Sequence, residues 1–173
     1  MKLKDRYQIK FMVLVSILML LSPCGLISQN ESNFSRISIN DGLSQSTVRA
    51  ILQDSEGYMW FGTQDGLNKY DGYKFTIYKN DLKNSNSLAN NDITSLVEDS
   101  NGNIWIGTNG GGLDKFNKKS KTFTHFKSSK VDANSVTNNF IYSLYIDSSG
   151  LLWIGTVRGG LNTMNIQSGK VKN

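Results

Sequence analysis

The sequence predicts an all-β fold made of β-propeller blades, with three blades of an incomplete propeller in 173 residues. Three segments superpose when Trp60, Trp105 and Trp153 are aligned, at spacings of 45 and 48 residues. Each tryptophan opens a Trp-Phe/Ile-Gly-Thr run. Four short strands that recur with such a period are typical of propeller blades, which cover one another's faces by stacking.

Each repeat begins with a strand-like stretch that ends in an Asp-x-x-Gly turn. The predicted first strands are Val48–Gln53, Ile93–Glu98 and Ile141–Ile146. The tryptophan segment forms the second strand of a hairpin, and a Gly-Leu pair opens the third strand. We expect the tryptophans to pack between blades. The structural repeat positions are Trp60, Gly62, Trp105, Gly107, Trp153 and Gly155.

The period sets the boundaries of the blades. Blade 1 spans residues 43–87, blade 2 spans 88–135, and the truncated blade 3 spans 136–173. The distance from the third to the fourth strand places the start of the last strand of blade 3 at Val171.

The segment 29–42 precedes blade 1 and contains an orphan outer strand, Phe34-Ser35-Arg36-Ile37, in the Phe-x-x-apolar form of a fourth strand. We expect this strand to complete the last blade of a ring and so to protect its edge. Three blades do not close a ring, for which about four to eight are usual. The chain is therefore expected to be the front portion of a longer protein, with the remaining blades as its partners.

Residues 1–28 have the pattern of a signal peptide, with a basic start and an apolar run of eleven residues from Phe11 to Leu21. Pro23 would interrupt a longer span, which favours export over a retained anchor. Pro23 also precedes Cys24 where a lipoprotein signal needs a small residue, so lipidation is not expected. Once residues 1–28 are removed, the chain has no cysteine and therefore no disulfide.

The net charge of +5 does not predict a nucleic-acid partner. Of the 19 basic and 14 acidic residues, four basic and one acidic residue lie in the signal segment, which leaves 15 and 13. No basic stripe of the kind that phosphate backbones require is present in the remainder.

No catalytic, metal or cofactor site emerges from the sequence. The only histidine, His125, has no Cys or His partner at metal-ligand spacing. Residues 110–112 form a Gly-Gly-Gly run that could cradle a phosphate, but a bend between strands is favoured because the other repeats bend there too. Residues 99–103 have a hint of calcium-loop spacing, but they lack the distal glutamate, which favours a hairpin turn. We therefore expect no enzyme activity in this chain.

Topology predicts where a ligand would bind. In a four-stranded blade, the loops between the second and third strands open on the same side as the connections between blades. On that face the sequence varies between repeats, as in binding loops on a rigid scaffold, although plain solvated loops are the alternative. The candidate ligand-binding residues are Gln64, Asp65, Asn109 and Arg158.

Three motifs of the sequence resemble the two-component regulator propeller repeat. They are the Asp-Gly-Leu-Ser run at residues 41–44, the Asp-x-x-Gly-x-apolar-Trp-Phe/Ile-Gly-Thr run and the Gly-Leu pair that follows it. The resemblance covers residues 34–173. It implies the periplasmic sensor region of a hybrid two-component system of the Bacteroidetes type, in which histidine kinase parts follow a membrane anchor. It also implies an oligosaccharide ligand and a homodimeric full-length receptor anchored in the inner membrane.

The leading interpretation is thus an N-terminal periplasmic sensor portion that detects oligosaccharides and signals across the membrane. An exported propeller that binds proteins or surfaces without signalling is the alternative. A propeller lyase or glycosidase is disfavoured because no acid/base constellation is present. The fold alone does not choose among these functions.

Overall fold

The computed structural model describes residues 12–16 and 34–173. The chain divides into two units, residues 1–35 and residues 36–173, and every described strand lies in the second unit. Residues 12–16 are helical, and most of the predicted signal segment lies outside the described residues. None of the helices in the described ranges is long and apolar enough to cross a bilayer.

The strands form three separate four-stranded antiparallel sheets, each in simple sequence order, which confirms the predicted fold class. Blade 1 consists of β1 (Val48–Gln53), β2 (Met59–Thr63), β3 (Gly66–Tyr70) and β4 (Phe75–Tyr78). Blade 2 consists of β5 (Ile93–Glu98), β6 (Ile104–Thr108), β7 (Leu113–Asn117) and β8 (Thr122–Phe126). Blade 3 consists of β9 (Ile141–Ile146), β10 (Leu151–Thr156), β11 (Gly160–Asn165) and β12 (Val171–Lys172).

The first strands have the predicted bounds, and β12 starts at Val171 as the spacing predicted. A short 3-10 turn, Ile39–Asp41, precedes β1. Residues 34–38 form no strand in this structure. The outer edge that they were predicted to complete is not among the described residues, so that assignment stays a prediction.

Each blade is organised around one aspartate that serves both its turn and its tryptophan. In blade 2, Oδ1 of Asp99 accepts the backbone N–H groups of Asn101 and Asn103, which closes the turn between β5 and β6. The indole Nε1–H of Trp105 donates to Oδ2 of Asp99 at 2.9 Å. Trp60 and Asp54 are joined in the same way, at 2.8 Å. A buried indole N–H needs such a partner, because leaving it unpaired costs about 1–3 kcal/mol.

The tryptophans lie in the apolar layers between neighbouring blades. Trp60 is fully buried and packs with Ile93, Ile104, Ile106 and other residues of blade 2. Trp105 is equally buried in a second cluster that also contains Ile141, Leu152 and further residues of blade 3. The core is therefore a series of layers between blades, and no blade has a core of its own.

The glycine two residues after Trp60 and after Trp105 lets the next blade approach. A Cβ built on Gly62 would lie 2.5 Å from Cγ2 of Ile93, the first residue of β5. A Cβ on Gly107 would lie 2.8 Å from Cγ2 of Ile141, the first residue of β9. Any larger residue in place of these glycines would collide with a β-branched side chain of the neighbouring blade.

The equivalent face of blade 3 is uncovered within the described part of the chain. Trp153 is only partly buried there, and it shares this face with Tyr145 and Leu161, whose exposed fractions are 64% and 58%. The hydrogen bond from its indole to Asp147 is retained at 2.8 Å. The face has the residues of an inter-blade layer, and none of the three described blades covers it.

We expect Gly107→Ala to lower the free energy of unfolding by about 1–3 kcal/mol, because the new methyl group overpacks the layer between blades 2 and 3. The cost should be smaller in an Ile141→Ala background, where the colliding methyl group is gone. Urea unfolding of the two single variants and the double variant measures this coupling. Additive effects would contradict the packing role of Gly107.

We expect Asp99→Ala to lower the free energy of unfolding by about 2–3 kcal/mol, because it leaves a buried indole N–H and two turn N–H groups without an acceptor. Asp132→Ala is the matched control, since Asp132 also accepts a turn N–H, that of Asn134, but serves no tryptophan. Its cost should stay below about 1 kcal/mol. Equal losses in urea unfolding would show that the indole hydrogen bond contributes nothing.

Candidate ligand-binding face

The predicted face is assembled by hydrogen bonds between loops and inter-blade connections. The N–H of Gly66, at the end of the loop between β2 and β3, donates to the carbonyl of Asn91 at 2.8 Å. The N–H of Gly112 donates to the carbonyl of Asn139 at 2.9 Å in the next blade pair. The loops and the connections therefore lie side by side, as the strand order predicted.

The innermost strand of every blade carries a β-bulge at its second residue, next to this face. In blade 1, Val48 pairs with Thr63 and Ala50 pairs with Gly62, which leaves Arg49 without a partner on β2. The same step in register occurs in the other two blades. The three bulge residues are Arg49, Thr94 and Tyr142. Bulges often re-aim a side chain beside a functional site, because the extra residue leaves the strand pairing.

The three bulge residues line one cavity of about 620 Å³. The strands β1, β5 and β9 lie next to one another in that order, which brings residues of three blades together. Its lining residues are Arg49, Thr94, Asn109, Ile141, Tyr142 and Val157. A volume of this size is in the range of ordinary small-molecule sites.

One side of the cavity is polar and charged. Nη1 of Arg49 lies 3.1 Å from Oδ1 of Asp92, which joins blade 1 to blade 2. The side-chain amide of Asn109 donates to Oδ2 of Asp92 at 2.8 Å, and its backbone N–H donates to the carbonyl of Asp92 at 2.9 Å. These contacts place a guanidinium and an amide beside Asp92, from where they can bond hydroxyl or carboxylate oxygens.

The other side of the cavity is aromatic and aliphatic. Tyr142 is 74% exposed although it sits on an inner strand, and Val157 is 43% exposed. An exposed tyrosine presents a flat apolar face together with a hydroxyl group, a combination that is favoured at binding surfaces. The cavity thus joins an apolar platform to fixed polar groups.

The four residues predicted from the sequence lie on this face, but the structure separates them. Asn109 lines the cavity. Oδ2 of Asp65 is bound by Nζ of Lys79 at 2.6 Å, which fixes Asp65 to the connection between blades 1 and 2. Gln64 and Arg158 are exposed on their loops, and Arg158 has a left-handed backbone with φ of 59°.

Arg49, Thr94 and Tyr142 were not among the residues predicted from the sequence. One signal was present: the second residue of the first strand is Arg, Thr and Tyr in the three repeats, whereas the residue before it is always Val or Ile. Such variation inside a regular framework marks the position as one that packing does not determine.

The glycine run and the suspected calcium loop have structural roles. Gly111 lies so close to Asn90 that a Cβ would be 2.7 Å from the Cβ of Asn90, and no helix follows the run. The 99–103 segment is the tight turn between β5 and β6. Among the residues that the structure describes, no group of three His, Cys, Asp or Glu side chains could hold a metal ion.

Blade 2 departs from its neighbours at one buried position of its third strand. Blades 1 and 3 carry Asn68 and Asn162 there, and each side-chain oxygen accepts a backbone N–H at the start of the blade. Blade 2 has Asp114, which accepts the N–H of Ala89 at 2.8 Å and lies 2.7 Å from Nδ1 of His125. The buried amide is thus replaced by a carboxyl and an imidazole.

The pair has shifted protonation equilibria. Burial raises the pKa of Asp114 by more than the hydrogen bonds from Ala89 and His125 lower it. Burial alone would lower the pKa of His125, but hydrogen bonds to Asp114 and to the carbonyl of Ser85, 3.1 Å from Nε2, raise this pKa above its ordinary value. Nearby Lys127 opposes this rise. Through its contact with the carbonyl of Ser85, His125 links the outer strand of blade 2 to the connection between blades 1 and 2.

Comparison with known proteins assigns the repeat. The family described as two component regulator propeller matches residues 42–65, 87–110 and 135–158. The chain carries three two-component regulator propeller repeats. Each match ends in the loop between the second and third strands, so the repeat includes the bulge residue and most of the candidate ligand-binding face.

Two relatives are named as signalling proteins or as domains of them. The extracellular domain of a hybrid two-component system of B. thetaiotaomicron is 30% identical, with a TM-score of 0.76 over 80% of this chain. Histidine kinase P4 of Formosa agariphila is 55% identical over 49 residues, which is 28% of this chain. The chain spans 20% of the extracellular domain and 4% of the kinase.

A streptogramin B lyase shares the blade arrangement at lower similarity. It is 16% identical, with a TM-score of 0.61 over 83% of this chain and 44% of the lyase. At this identity the likeness shows the fold alone.

Stability should fall as pH rises above about 6.5, the ordinary pKa of histidine in an unfolded chain. Because the folded pKa of His125 is raised, its contribution is fully present below that pH and is lost as pH rises through the folded value. The raised pKa of Asp114 acts with the same sign. We expect the urea midpoint of the parent chain to fall between pH 6 and pH 8.5.

Asp114→Asn restores the residue of the other two blades and should flatten this pH dependence, as should His125→Gln. His125 is the only histidine, so no other imidazole contributes to the slope. An unchanged slope in both variants would rule out the pair as its origin.

Proposed function

We propose that this chain is the N-terminal periplasmic portion of a hybrid two-component sensor, and that the cavity lined by the three bulge residues binds an oligosaccharide. The observation that carries the proposal is the convergence of Arg49, Thr94 and Tyr142 from three blades on one cavity. The likeness to an extracellular domain of a hybrid two-component system supports the sensor role.

The chemistry of the cavity suits a sugar. A pyranose ring has apolar faces of C–H groups and a rim of hydroxyl groups. The ring of Tyr142 offers an apolar platform, while Arg49 and Asn109 offer hydrogen-bond donors. Gln64, Asp65 and Arg158 lie on the surrounding loops, where they would contact further units of a longer oligosaccharide.

The remaining blades of the parent protein are the expected partner of the uncovered face of blade 3. Trp153, Tyr145 and Leu161 repeat the pattern that a following blade covers at Trp60 and Trp105. Export follows from the predicted signal segment, 1–28, and anchoring in the inner membrane and homodimerisation belong to the parent receptor of this proposal.

We expect Tyr142→Ala to weaken oligosaccharide binding by about 30-fold and Arg49→Ala by about 10-fold, which correspond to losses of about 2 and 1.4 kcal/mol. Titration calorimetry of the complete extracellular domain against a panel of neutral and acidic oligosaccharides first identifies the ligand and then measures both variants. Arg158→Ala and Asp65→Ala test the surrounding loops in the same way.

Tyr73→Ala is the matched control. Tyr73 is 95% exposed in the turn between β3 and β4, on the opposite face, so its loss should leave the affinity unchanged. Full affinity in both Tyr142→Ala and Arg49→Ala would refute the location of the site. A complete domain that binds no oligosaccharide but captures a protein would favour a binding module.

A further inference from the structure

The connection between blades 1 and 2, residues 79–92, is attached to the outer edge of blade 2. The side chain of Asn86 accepts the backbone N–H of Phe123 at 2.7 Å and donates to the carbonyl of Lys121 at 3.3 Å. Phe123 lies on β8, the outermost strand of its sheet. One side-chain amide therefore bonds two backbone groups that a further strand would otherwise bond.

His125, on the same strand, lies between two acceptors. Its Nδ1 is 2.7 Å from Oδ1 of Asp114, and its Nε2 is 3.1 Å from the carbonyl oxygen of Ser85, the residue before Asn86. A carbonyl oxygen can only accept a hydrogen bond, so the second contact is attractive only while Nε2 carries a hydrogen.

Both contacts are attractive only while the pair of Asp114 and His125 holds one proton beyond the ionised carboxylate and the neutral ring. If that proton is on the ring, both ring nitrogens donate. If it is on Asp114, the carboxyl group donates to Nδ1, and the hydrogen on Nε2 still donates to Ser85.

Loss of this proton makes one of the two contacts repulsive. A neutral ring has a single N–H, and this N–H goes to the ionised carboxylate of Asp114 because a charged acceptor is the stronger one. The lone pair of Nε2 then faces the lone pairs of the Ser85 carbonyl. The connection therefore loses its attachment at Ser85 when the pair is deprotonated.

Blade 1 makes the equivalent contacts without a titratable side chain. The buried Asn68 accepts the N–H of Ser44 and donates to the hydroxyl of the same residue. The partner of Asn68 on the outer strand is Ile77, whereas the partner of Asp114 is His125. The dependence on a proton is thus a property of blade 2 and is not required by the repeat.

The same connection carries Asp92, which bonds the polar side of the candidate ligand cavity. Asp114 accepts the N–H of Ala89 at 2.8 Å, three residues before Asp92. Asp92 in turn accepts the backbone N–H and the side-chain amide of Asn109 and lies 3.1 Å from Nη1 of Arg49. The proton-holding pair and the cavity are therefore attached to one short stretch of backbone.

The other titratable groups on the elements around His125 are of types whose ordinary pKa values lie far from neutral pH. They are Lys121 and Lys127 beside β8, Lys115 on β7, Asp81 and Lys83 in the connection, and Tyr78 on β4. Burial and nearby Lys127 disfavour the protonated ring, but the bonds to Asp114 and Ser85 favour it by more, so the pKa of His125 lies above its ordinary value.

We propose that Asp114 and His125 form a proton-operated latch, which holds the connection on blade 2 at mildly acidic pH and releases it as the pH rises. Release displaces Asp92 and with it the side chains of Arg49 and Asn109 in the candidate ligand cavity. This regulation of the cavity rests on the proposed function, whereas the latch itself is tested without a ligand.

The test follows nuclear magnetic resonance signals of the complete extracellular domain, without ligand, from about pH 6 to about pH 8.5, across the range in which histidine titrates. The Overhauser contact between the side-chain amide of Asn86 and the N–H of Phe123 should lose most of its intensity. The side-chain amide signal of Asn109, which donates to Asp92, should shift with the same midpoint as the ring of His125.

Thr137 is the internal control. Its N–H is accepted by Asn162 in blade 3, so its signal should show no titration with the midpoint of His125. A shift at Asn109 with an undiminished contact between Asn86 and Phe123 would show a change of charge without release of the connection, and would overturn the proposal.

A variant with the residues of blade 1 removes the proton site and keeps the attachment. It combines Ala89→Ser, Asp114→Asn and His125→Ile, which copy Ser44, Asn68 and Ile77. The contact between Asn86 and Phe123 should be equally strong at both pH values in this variant. His125→Gln alone, which leaves the buried carboxyl in place, should give the same result. Loss of the contact at high pH in His125→Gln, or its persistence at high pH in the parent protein, would refute the latch.

Discussion

The hydrogen bond from each repeat tryptophan to the aspartate six residues before it is the interaction on which the other features depend. A propeller blade is covered only by its neighbours, so the largest side chain of the repeat must be buried between two sheets. The indole N–H then needs an acceptor, and the carboxylate that closes the turn supplies it in all three blades. A single residue therefore connects the local turn to the packing of the whole array.

In each repeat, packing between blades determines the residue at some positions and leaves the residue at others variable. Tryptophan, glycine and a β-branched residue meet across each covered layer, where there is no room for substitution: Gly107 faces Ile141 as Gly62 faces Ile93. One residue further along the inner strand, the bulge removes the residue from the strand ladder. The side chain there differs in all three blades, so the repeat does not fix its identity.

The sequence predicted the strands better than the site for the same reason. Strand bounds such as Ile93–Glu98 follow from the tryptophan spacing and the Asp-x-x-Gly turn, because both are local signals. The common face of the loops and the inter-blade connections followed from strand order, and Asn109, which was predicted on that face, lines the cavity. Arg49 and Tyr142 were missed because a bulge shifts the register without altering the apolar pattern. Asp65 is fixed to Lys79, a contact between distant parts of the chain that no local pattern reveals.

The placement of the cavity has a mechanical consequence. Arg49, Thr94 and Tyr142 belong to three separate sheets, and the hydroxyl of Thr94 also donates to the carbonyl of Ile141 across the junction of blades 2 and 3. A ligand that contacts all three residues gains its full contact energy only at one arrangement of the three blades. Ligand binding is therefore coupled to the packing between blades. A ligand shifts a conformational equilibrium only when its affinity differs between the two states, and here the affinity depends on how the blades are arranged. The core of this protein consists of layers between blades. A ligand bound in the cavity can therefore affect the rest of the protein through those layers.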